Sequence, residues 1–361
     1  MKSHDRMLAA LNLEEPDRVP VMELGVGLEP LFRSLGTAPP EISPAEMISE
    51  GIPKPVLRAL VKAGLDGYCL WLIPSRMTPV EAGLLRDPLG RLFKHLSSAP
   101  TTSGNLFYVG GWVKSREDIE QLPELNPYDP TMLTMLNRAL KNAGDKLFLI
   151  PSTIGLMEAT FEPMGFETFS RSLYRDRDFL EAMLDRILDY LLGFIDAVSE
   201  YEVHAILFGD DSGDSHGPFI RPEHYRRLIL PRLKKLVDEC HRHGVLYIEH
   251  TDGNVMPLLD MFVEAGVDAV QSWEPLAGMD IKYGKERYGG NLCIIGNVDV
   301  GLLSSASPEQ VSRYVRNCIK TAAPGGGYIV SASNVVIDSV KPENWRSEVE
   351  TVLKYGAYPY R

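Results

Sequence analysis

The sequence predicts a (β/α)8 barrel, because eight short apolar segments recur along the chain and each leads into a longer segment with helical periodicity. The short segments are continuous apolar runs, as expected of parallel strands that are covered on both faces. Amphipathic segments such as 222–244 and 307–326 separate the later ones. An open, doubly wound sheet would give similar local patterns, so the count of eight favours closure. The predicted strands are 19–24, 67–72, 147–152, 205–210, 245–250, 269–273, 292–297 and 327–333.

Two elements lie outside this repeat. Residues 3–13 carry apolar side chains at helical spacing and are followed by two prolines in 15–20, which predicts a helix before the first strand. Residues 86–95 and 105–113 resemble two arms of a β-excursion between strands two and three. We therefore expect one barrel domain over 1–361, with an N-terminal helical extension and this excursion.

Composition excludes several classes of partner. The chain has 37 basic and 49 acidic residues, and its net charge of −12 disfavours nucleic acid and anionic membranes as partners. Its four cysteines are far apart and form no CxxC pair, so neither a disulfide framework nor a cysteine-rich zinc site is indicated. No apolar run approaches the roughly 20 residues of a membrane helix, and a cytoplasmic location is expected. The oligomeric state is left open, with a homodimer among the alternatives.

Polar side chains cluster just after the predicted strands, where the active site of a barrel forms. Side chains at these positions converge on one axis, so a single pocket can gather acids from distant parts of the chain. The polar residues at the strand ends are Glu23, Ser152, Thr153, Asp210, Asp211, Glu249, His250, Asp252, Gln271, Glu274, Asn297, Asp299, Ser333 and Asn334.

The most informative segment is 248–254, with the sequence IEHTDGN. His250 and Asp252 are two residues apart at a strand end, so in extended conformation they point the same way, about 6–7 Å apart. This spacing suits two ligands of one metal ion, or an imidazole oriented by a carboxylate. A structural histidine is the third interpretation, and the spacing alone does not decide among them.

The segment 209–217, GDDSGDSHG, is the second candidate. Adjacent side chains on a strand point to opposite faces, so we expect one of Asp210 and Asp211 to enter the pocket and the other to cap the next turn. A buried acid near another carboxylate would have a raised pKa, as a general acid requires. Solvated loop acids are the alternative. His216 lies on the same loop and is either a substrate contact or an exposed loop residue.

Two further segments follow strands six and seven. Glu274 comes directly after strand six and is a catalytic candidate, whereas Asp280 looks like a helix-capping residue. Asn297 and Asp299 repeat the two-residue spacing, so we expect one of them in the site and the other on loop amides. Trp71 is a candidate for the substrate wall, with core packing as the alternative.

The chain as a whole resembles the uroporphyrinogen decarboxylase superfamily. The resemblance rests on ordered motifs that run from DRMLAALNLEEPDRVPV near the start, through GDDSG, IRPEHYRRLILPRLKKL, HTDGN, EAGVDAVQSWEPLAGMD and YGGNLCIIGNVDVGLL, to GGGYIVSAS and KPENW. These motifs are densest over 205–345. The resemblance implies a (β/α)8 barrel, in agreement with the strand count.

Departures from the superfamily's patterns suggest which branch the chain resembles. True decarboxylases carry an early RQAGRY loop that holds substrate carboxylates, where this chain reads MELGVGLEPLFRSLG, and Asn334 is near the place of a C-terminal histidine. Zinc methyltransferases of the superfamily carry H-x-C and a later cysteine. This chain has His250 and Asp252 instead, with no cysteine near Ser333. Its HTDGN segment and DPLGRLFK hairpin look like the O-demethylase type.

The resemblance implies a corrinoid-dependent methyltransferase. Such an enzyme moves a methyl group from a small methoxylated compound to the cobalt of a corrinoid carried by a partner protein. His250, Asp211, Asp252 and Glu274 are then the catalytic candidates, Glu23, Trp71, His216, Asn297 and Asn334 the substrate-binding ones, and His250 with Asp252 the candidate metal ligands, with zinc among the ions considered. A carboxy-lyase is the alternative, with Arg76, Arg86 and Arg221 as candidate carboxylate contacts. A binding protein without catalytic activity is the third.

Overall fold

A computed structural model describes residues 1–43, 46, 49–74, 76–80, 83–95 and 106–359. Its central sheet has eight parallel strands in sequence order. The sheet closes because the Met22 amide donates to the Val330 carbonyl and the Val330 amide to the Pro20 carbonyl, each over 3.0 Å. The predicted (β/α)8 barrel is thereby confirmed. The strands are β1 Met22–Glu23, β2 Gly67–Trp71, β3 Phe148–Ile154, β4 Ala205–Gly209, β5 Leu246–His250, β6 Ala269–Gln271, β7 Cys293–Ile295 and β8 Tyr328–Ile329.

Helices surround the barrel and cover the outer face of its strands. Residues Tyr225–Ile229 form a π-helical turn that leads into α10. The helices are α1 Ser3–Leu11, α2 Leu28–Ser34, α3 Lys54–Ala63, α4 Arg116–Glu120, α5 Pro130–Ala143, α6 Glu158–Met164, α7 Phe166–Arg175, α8 Arg177–Ser199, α9 Pro222–His224, α10 Leu230–Arg242, α11 Leu259–Ala265, α12 Ile281–Tyr288, α13 Val300–Ser305, α14 Pro308–Ala322 and α15 Pro342–Tyr355.

The predicted N-terminal helix α1 covers the amino ends of the strands. Its Met7, Ala10 and Leu11 join the inward-facing strand residues in one buried cluster. At Gly67 a Cβ would come within 2.8 Å of the Met7 side chain, so glycine allows the helix to approach β2. Because this end is filled, a pocket inside the barrel can open only at the carboxyl ends of the strands.

An ion-pair network ties the same end together. Asp66 is 1% exposed and receives Arg6 Nη1 and Arg18 Nη1, each at 2.7 Å. Arg6 Nε also donates to Asp17 over 2.7 Å, and the resulting charge stabilisation, led by the Arg6 hydrogen bond, lowers the pKa of Asp17 well below its usual value. This end of the barrel therefore carries acids that are matched by guanidinium groups.

The predicted β-excursion is a four-stranded antiparallel sheet between β2 and β3. Its two longest strands, Arg91–His95 and Leu106–Gly111, pair with each other, and its two short strands are Thr78–Pro79 and Leu85–Arg86. Residues 96–105, which include the first residue of the predicted second arm, lie outside the described residues. The sheet rests on α6, where Arg91 Nη1 donates to Glu162 Oε2 over 3.0 Å.

No helix in the described part of the chain has the length and apolarity needed to cross a membrane.

Candidate active site

The alternation of β5 decides which of its side chains face the barrel interior. Ile248 belongs to the inner cluster, so His250, two residues later, also points inward. Glu249 points the other way and accepts a hydrogen bond from the Tyr247 hydroxyl over 3.0 Å. His250 is 7% exposed and lies at the carboxyl end of the barrel.

His250 is the centre of a three-residue cluster with Asp211 and Asp252. Its Nε2 lies 4.0 Å from Asp211 Oδ1 and 4.0 Å from Asp252 Oδ1. The Asp252 backbone amide donates to Asp211 Oδ1 over 3.0 Å, which fixes the two loops relative to each other. Three of the predicted catalytic residues, from the ends of β4 and β5, are therefore brought together. The predicted orientation of His250 and Asp252 toward the same side is confirmed.

The other nitrogen of the imidazole, Nδ1, contacts the side chain of Gln271. Gln271 is fully buried and lies directly beside His250 in the parallel register of β5 and β6. Its Nε2 donates to the Ala332 carbonyl over 3.3 Å. The amide thus links the imidazole to the segment after β8.

Asp252 is held by Asn334, whose Nδ2 donates to Asp252 Oδ2 over 2.6 Å. Burial raises the pKa of Asp252 to about 6, although nearby His250 acts to lower it. The second oxygen, Oδ1, is buried and has no hydrogen-bond partner among the described residues. Asn334, predicted to bind substrate, therefore contacts the cluster directly and leaves one Asp252 oxygen available.

The adjacent acids Asp210 and Asp211 diverge as predicted. Asp211 faces His250, whereas Asp210 is buried and accepts the Glu158 amide over 2.7 Å at the start of α6. Gly155 makes this possible, because a Cβ there would lie 2.3 Å from the Asp210 side chain. Burial raises the pKa of Asp210 to about 7. The turn that Asp210 caps belongs to the neighbouring β3 unit and not to its own.

Glu158 extends the acidic cluster and was not predicted from the sequence. Its Oε2 lies 3.4 Å from the Asp211 amide. Burial raises its pKa well above the usual value, and the charge of Asp211 adds to this effect. The residue stands four positions beyond the end of β3, so a search limited to the first residues after each strand misses it. The sequence signal is the acid in the first turn of the following helix.

Glu274 is linked to the cluster by its contact with the loop that follows β5. Its Oε2 accepts the Gly253 amide over 2.9 Å. Gly253 has φ +84°, and a Cβ there would meet the Asp214 backbone at 2.6 Å. Glu274 thus orients the 252–254 turn, while Asp280 caps α12 by accepting the Tyr283 amide over 2.9 Å, as expected.

Trp71 lies at the end of β2 and packs against the inner cluster. Its Nε1 donates to the Leu24 carbonyl over 3.2 Å, and a Cβ at Gly209 would lie 2.9 Å from the indole ring. The ring therefore lies at the carboxyl end of β2, between the inner cluster and Gly209.

Glu23 is a correction, because its side chain does not face the mouth of the barrel. Alternation sends Met22 and Leu24 into the inner cluster, so Glu23 lies between the barrel wall and α15. There Trp345 Nε1 donates to Glu23 Oε1 over 3.0 Å. The expectation that Glu23 points into the site is wrong.

Asn297 and His216 are also placed apart from the cluster. Asn297 is buried, and its Nδ2 donates to the Trp273 carbonyl over 2.8 Å, so it braces the loop after β6. Asp299 caps α13 by accepting the Leu302 amide over 2.5 Å, in line with a role on loop amides. The His216 side chain is 91% exposed and contacts Asp214 of its own hairpin. The structure therefore does not bring either predicted substrate contact to His250.

The cluster has the donor set of a divalent-cation site. One ligand atom from each of Asp211, His250 and Asp252 lies within 4.8 Å of the others. An imidazole nitrogen with carboxylate oxygens suits Zn²⁺ and related ions. The unpartnered Asp252 Oδ1 is an oxygen that a cation would satisfy. The described residues therefore fit a metal ion at this position.

Comparisons with known proteins agree with the fold. The family model of uroporphyrinogen decarboxylase (URO-D) matches residues 105–355. A curated uroporphyrinogen decarboxylase from Aeromonas salmonicida is 22% identical and covers 98% of this chain and 97% of its own length. One from Escherichia coli O7:K1 is 24% identical, with 80% and 82% covered.

Two solved structures share the barrel. A methyltransferase from Methanosarcina mazei matches with a TM-score of 0.76 at 19% identity, covering 98% of this chain and 99% of that one. A B12-independent methionine synthase from Shewanella sp. W3-18-1 matches with a TM-score of 0.53 at 12% identity, covering 93% and 96%. At these identities the structural matches establish a common fold.

Proposed function

Because the chain belongs to the uroporphyrinogen decarboxylase family, we propose that it is the enzyme of a methyl transfer within that family. The methyl donor is a small methoxylated compound, and the acceptor is the cobalt of a corrinoid carried by a partner protein. The observation that carries the proposal is the convergence of His250 with Asp211 and Asp252 at the carboxyl end of the barrel.

The chemistry explains why such a cluster is needed. The methyl group passes from the ether oxygen to Co(I), the C–O bond breaks with its electron pair on oxygen, and the product oxygen takes up a proton. An alkoxide or phenoxide leaves poorly unless its developing charge is neutralised. Asp252, His250 and Asp211 place a proton or a bound cation at one point of the pocket. Their task is therefore to stabilise the leaving oxygen.

A divalent cation held by His250, Asp211 and Asp252 would supply Lewis-acid polarisation of that oxygen. Asn334 fixes one Asp252 oxygen and so keeps the other directed toward His250. Glu274 holds the Gly253 amide and thereby orients the turn that carries Asp252. Trp71, half-buried at the end of β2, offers an aromatic face against which a methoxylated ring would pack. These residues position the substrate oxygen and exclude water from it.

A carboxy-lyase is the second candidate, since curated relatives carry the name uroporphyrinogen decarboxylase. A polycarboxylate substrate requires cationic contacts at the mouth. Of the arginines considered, Arg86 stacks over the Trp112 ring at 4.2 Å, while Arg76 and Arg221 are exposed. The acids beside His250 would repel substrate carboxylates. The charge of the cluster thus favours methyl transfer.

One set of assays tests both candidates. Purified protein is incubated anaerobically with a panel of aryl and alkyl methyl ethers and a Co(I) corrinoid, free or protein-bound, and methyl-Co(III) is followed by its absorbance. A parallel incubation supplies uroporphyrinogen and measures carbon dioxide release. We expect methyl-cobalt formation with at least one ether and no decarboxylation. Porphyrinogen turnover without methyl transfer would overturn the proposal.

A further inference from the structure

The neighbours of Gln271 define the orientation of its side-chain amide. One end of the amide faces the Ala332 carbonyl at 3.3 Å. A carbonyl oxygen can only accept a hydrogen bond, so the NH2 group must be at that end. The side-chain oxygen of Gln271 is therefore the atom that contacts His250 Nδ1. This assignment follows from the donor and acceptor chemistry of the three groups.

The orientation of the amide fixes the tautomer of His250. An amide oxygen is an acceptor, so Nδ1 must carry the hydrogen, and in the neutral ring Nε2 is left with its lone pair. Asp211 Oδ1 and Asp252 Oδ1 each lie 4.0 Å from this Nε2 atom. The imidazole nitrogen and the two carboxylate oxygens are therefore three acceptor atoms around one point. Such a point is stable only when a cation or a proton occupies it.

We infer that Gln271 is a positioning residue that holds His250 as the Nδ1–H tautomer and thereby prepares Nε2, with Asp211 and Asp252, to bind a divalent cation. The amide contributes both of its ends to this arrangement. Its NH2 group is committed to the Ala332 carbonyl, so its oxygen is directed at Nδ1 and can only accept the ring hydrogen there.

This inference deepens the proposed function and rests on it only for the use of the cluster in turnover. The tautomer and the metal affinity are both measured without a methyl donor or a corrinoid. Failure of methyl transfer with the expected tautomer and zinc affinity would therefore count against the proposed function and leave the role of Gln271 standing.

The first measurement is the tautomer of His250 in metal-free protein labelled with ¹⁵N-histidine. Long-range ¹H–¹⁵N spectra distinguish Nδ1–H from Nε2–H rings, and the variant His250→Gln identifies the signal among the eight histidines. We expect Nδ1–H in the wild-type protein. A ring protonated on Nε2 alone would overturn the inference.

The second measurement is Zn²⁺ affinity by competition with a chromophoric chelator. Gln271→Met removes the acceptor with little change of size and should weaken Zn²⁺ binding about 10- to 100-fold. Gln271→Glu keeps the shape and an oxygen that accepts the Nδ1 hydrogen, so at pH 8.5 it should bind Zn²⁺ at least tenfold more tightly than Gln271→Met. A residue that only packs the core would give Gln271→Glu no advantage over Gln271→Met.

Gln310→Glu is the matched control, because the same substitution falls on an exposed position at the start of α14. It should leave the tautomer and the zinc affinity unchanged. If Gln271→Met folds and binds Zn²⁺ as tightly as the wild type, or if Gln271→Glu binds Zn²⁺ no more tightly than Gln271→Met, the inference is wrong. Should Gln271→Met fail to fold, the tautomer of His250 in the wild-type protein decides.

Discussion

At the amino end of the barrel Asp66 is held by Arg6 and Arg18, whereas at the carboxyl end Asp211 and Asp252 share one imidazole. Asp66 receives two guanidinium groups at 2.7 Å each. Among the described residues no lysine or arginine nitrogen lies within 4.0 Å of Asp211 or Asp252, which have only His250 at that limit. The same fold thus neutralises its acids at one end and leaves them uncompensated at the other.

The difference distinguishes an end of the barrel that contributes to stability from an end that is suited to catalysis. A buried carboxylate with matched arginines is stabilising in place, and removal of one partner is costly. Carboxylates gathered without a cation raise the free energy of the folded protein, and such an arrangement is typical of sites that bind a cation or handle a proton. The carboxyl end therefore has the electrostatics of an active site, and the amino end those of a scaffold.

The largest expected effect comes from removing the imidazole at the carboxyl end. His250→Gln should lower the rate of methyl-cobalt formation about 1,000-fold, because stabilisation of the leaving oxygen is lost, while the melting temperature changes little. The control His241→Gln removes an imidazole from the outer surface, where it pairs with Asp268 at 2.8 Å. Equal rates of methyl-cobalt formation in the two variants would show that His250 has no role in catalysis.

The converse substitution at the amino end should act on stability. Asp66→Asn leaves Arg6 and Arg18 without their shared carboxylate, so the free energy of unfolding should fall by about 3 kcal/mol, measured by urea denaturation. Asp145→Asn, which breaks only the exposed pair with Lys2, should change it by less than about 1 kcal/mol. If Asp66→Asn unfolds at the same urea concentration as the wild type, the contrast between the two ends fails.

A third group of acids sharpens the comparison, because these acids have no cationic partner among the described residues and lie outside the barrel interior. Glu23 and Glu348 are both buried between the barrel wall and α15. Burial raises the pKa of Glu23 to about 8 and that of Glu348 well above its usual 4.5. The folded protein thus keeps protons on these two acids that the unfolded chain releases, so their contribution to stability is fully present below about pH 4.5 and is lost as the pH rises toward about 8.

Glu348→Gln should weaken this pH dependence. It removes one acid of the pair, so we expect the variant to gain on the order of 1 to 2 kcal/mol relative to the wild type between pH 5 and pH 8. Thermal unfolding at several pH values measures the difference. Glu343→Gln, an exposed site on the same helix, should follow the wild-type curve. A curve for Glu348→Gln parallel to that of the wild type would mean that Glu348 does not retain an extra proton in the folded protein.

The sequence predicts the barrel and the centre of the site because both depend on simple periodicities. Continuous apolar runs mark the strands, and the two-residue spacing places His250 and Asp252 on the same side. Apolar runs also explain the wrong prediction for Glu23. A strand that is apolar on both faces does not reveal which of its residues point into the barrel. Its burial against Trp345 follows from contacts more than 300 residues apart in the chain, which have no local signal.

The remaining site residues required tertiary information. Gln271 is one of the polar residues at the predicted strand ends, but its role depends on the register that places it beside His250. Glu158 enters from the first turn of a helix, beyond the strand end. Asn297 lies at the end of a strand, as the sequence indicates, but its side-chain amide donates to the Trp273 carbonyl and does not reach the cluster. Sequence patterns indicate which strand ends are polar, whereas hydrogen-bond partners decide which polar groups remain free for chemistry.

The most direct test of the contrast between the two ends uses one substitution, Asp211→Asn, and two readouts. The amide keeps an oxygen to accept the Asp252 amide and removes the charge. In metal-free protein at pH 8 the free energy of unfolding should rise by about 0.5 to 1 kcal/mol, because an uncompensated charge is gone, while methyl-cobalt formation falls at least tenfold. Lower stability together with unchanged turnover would contradict the assignment of the carboxyl end as the active site.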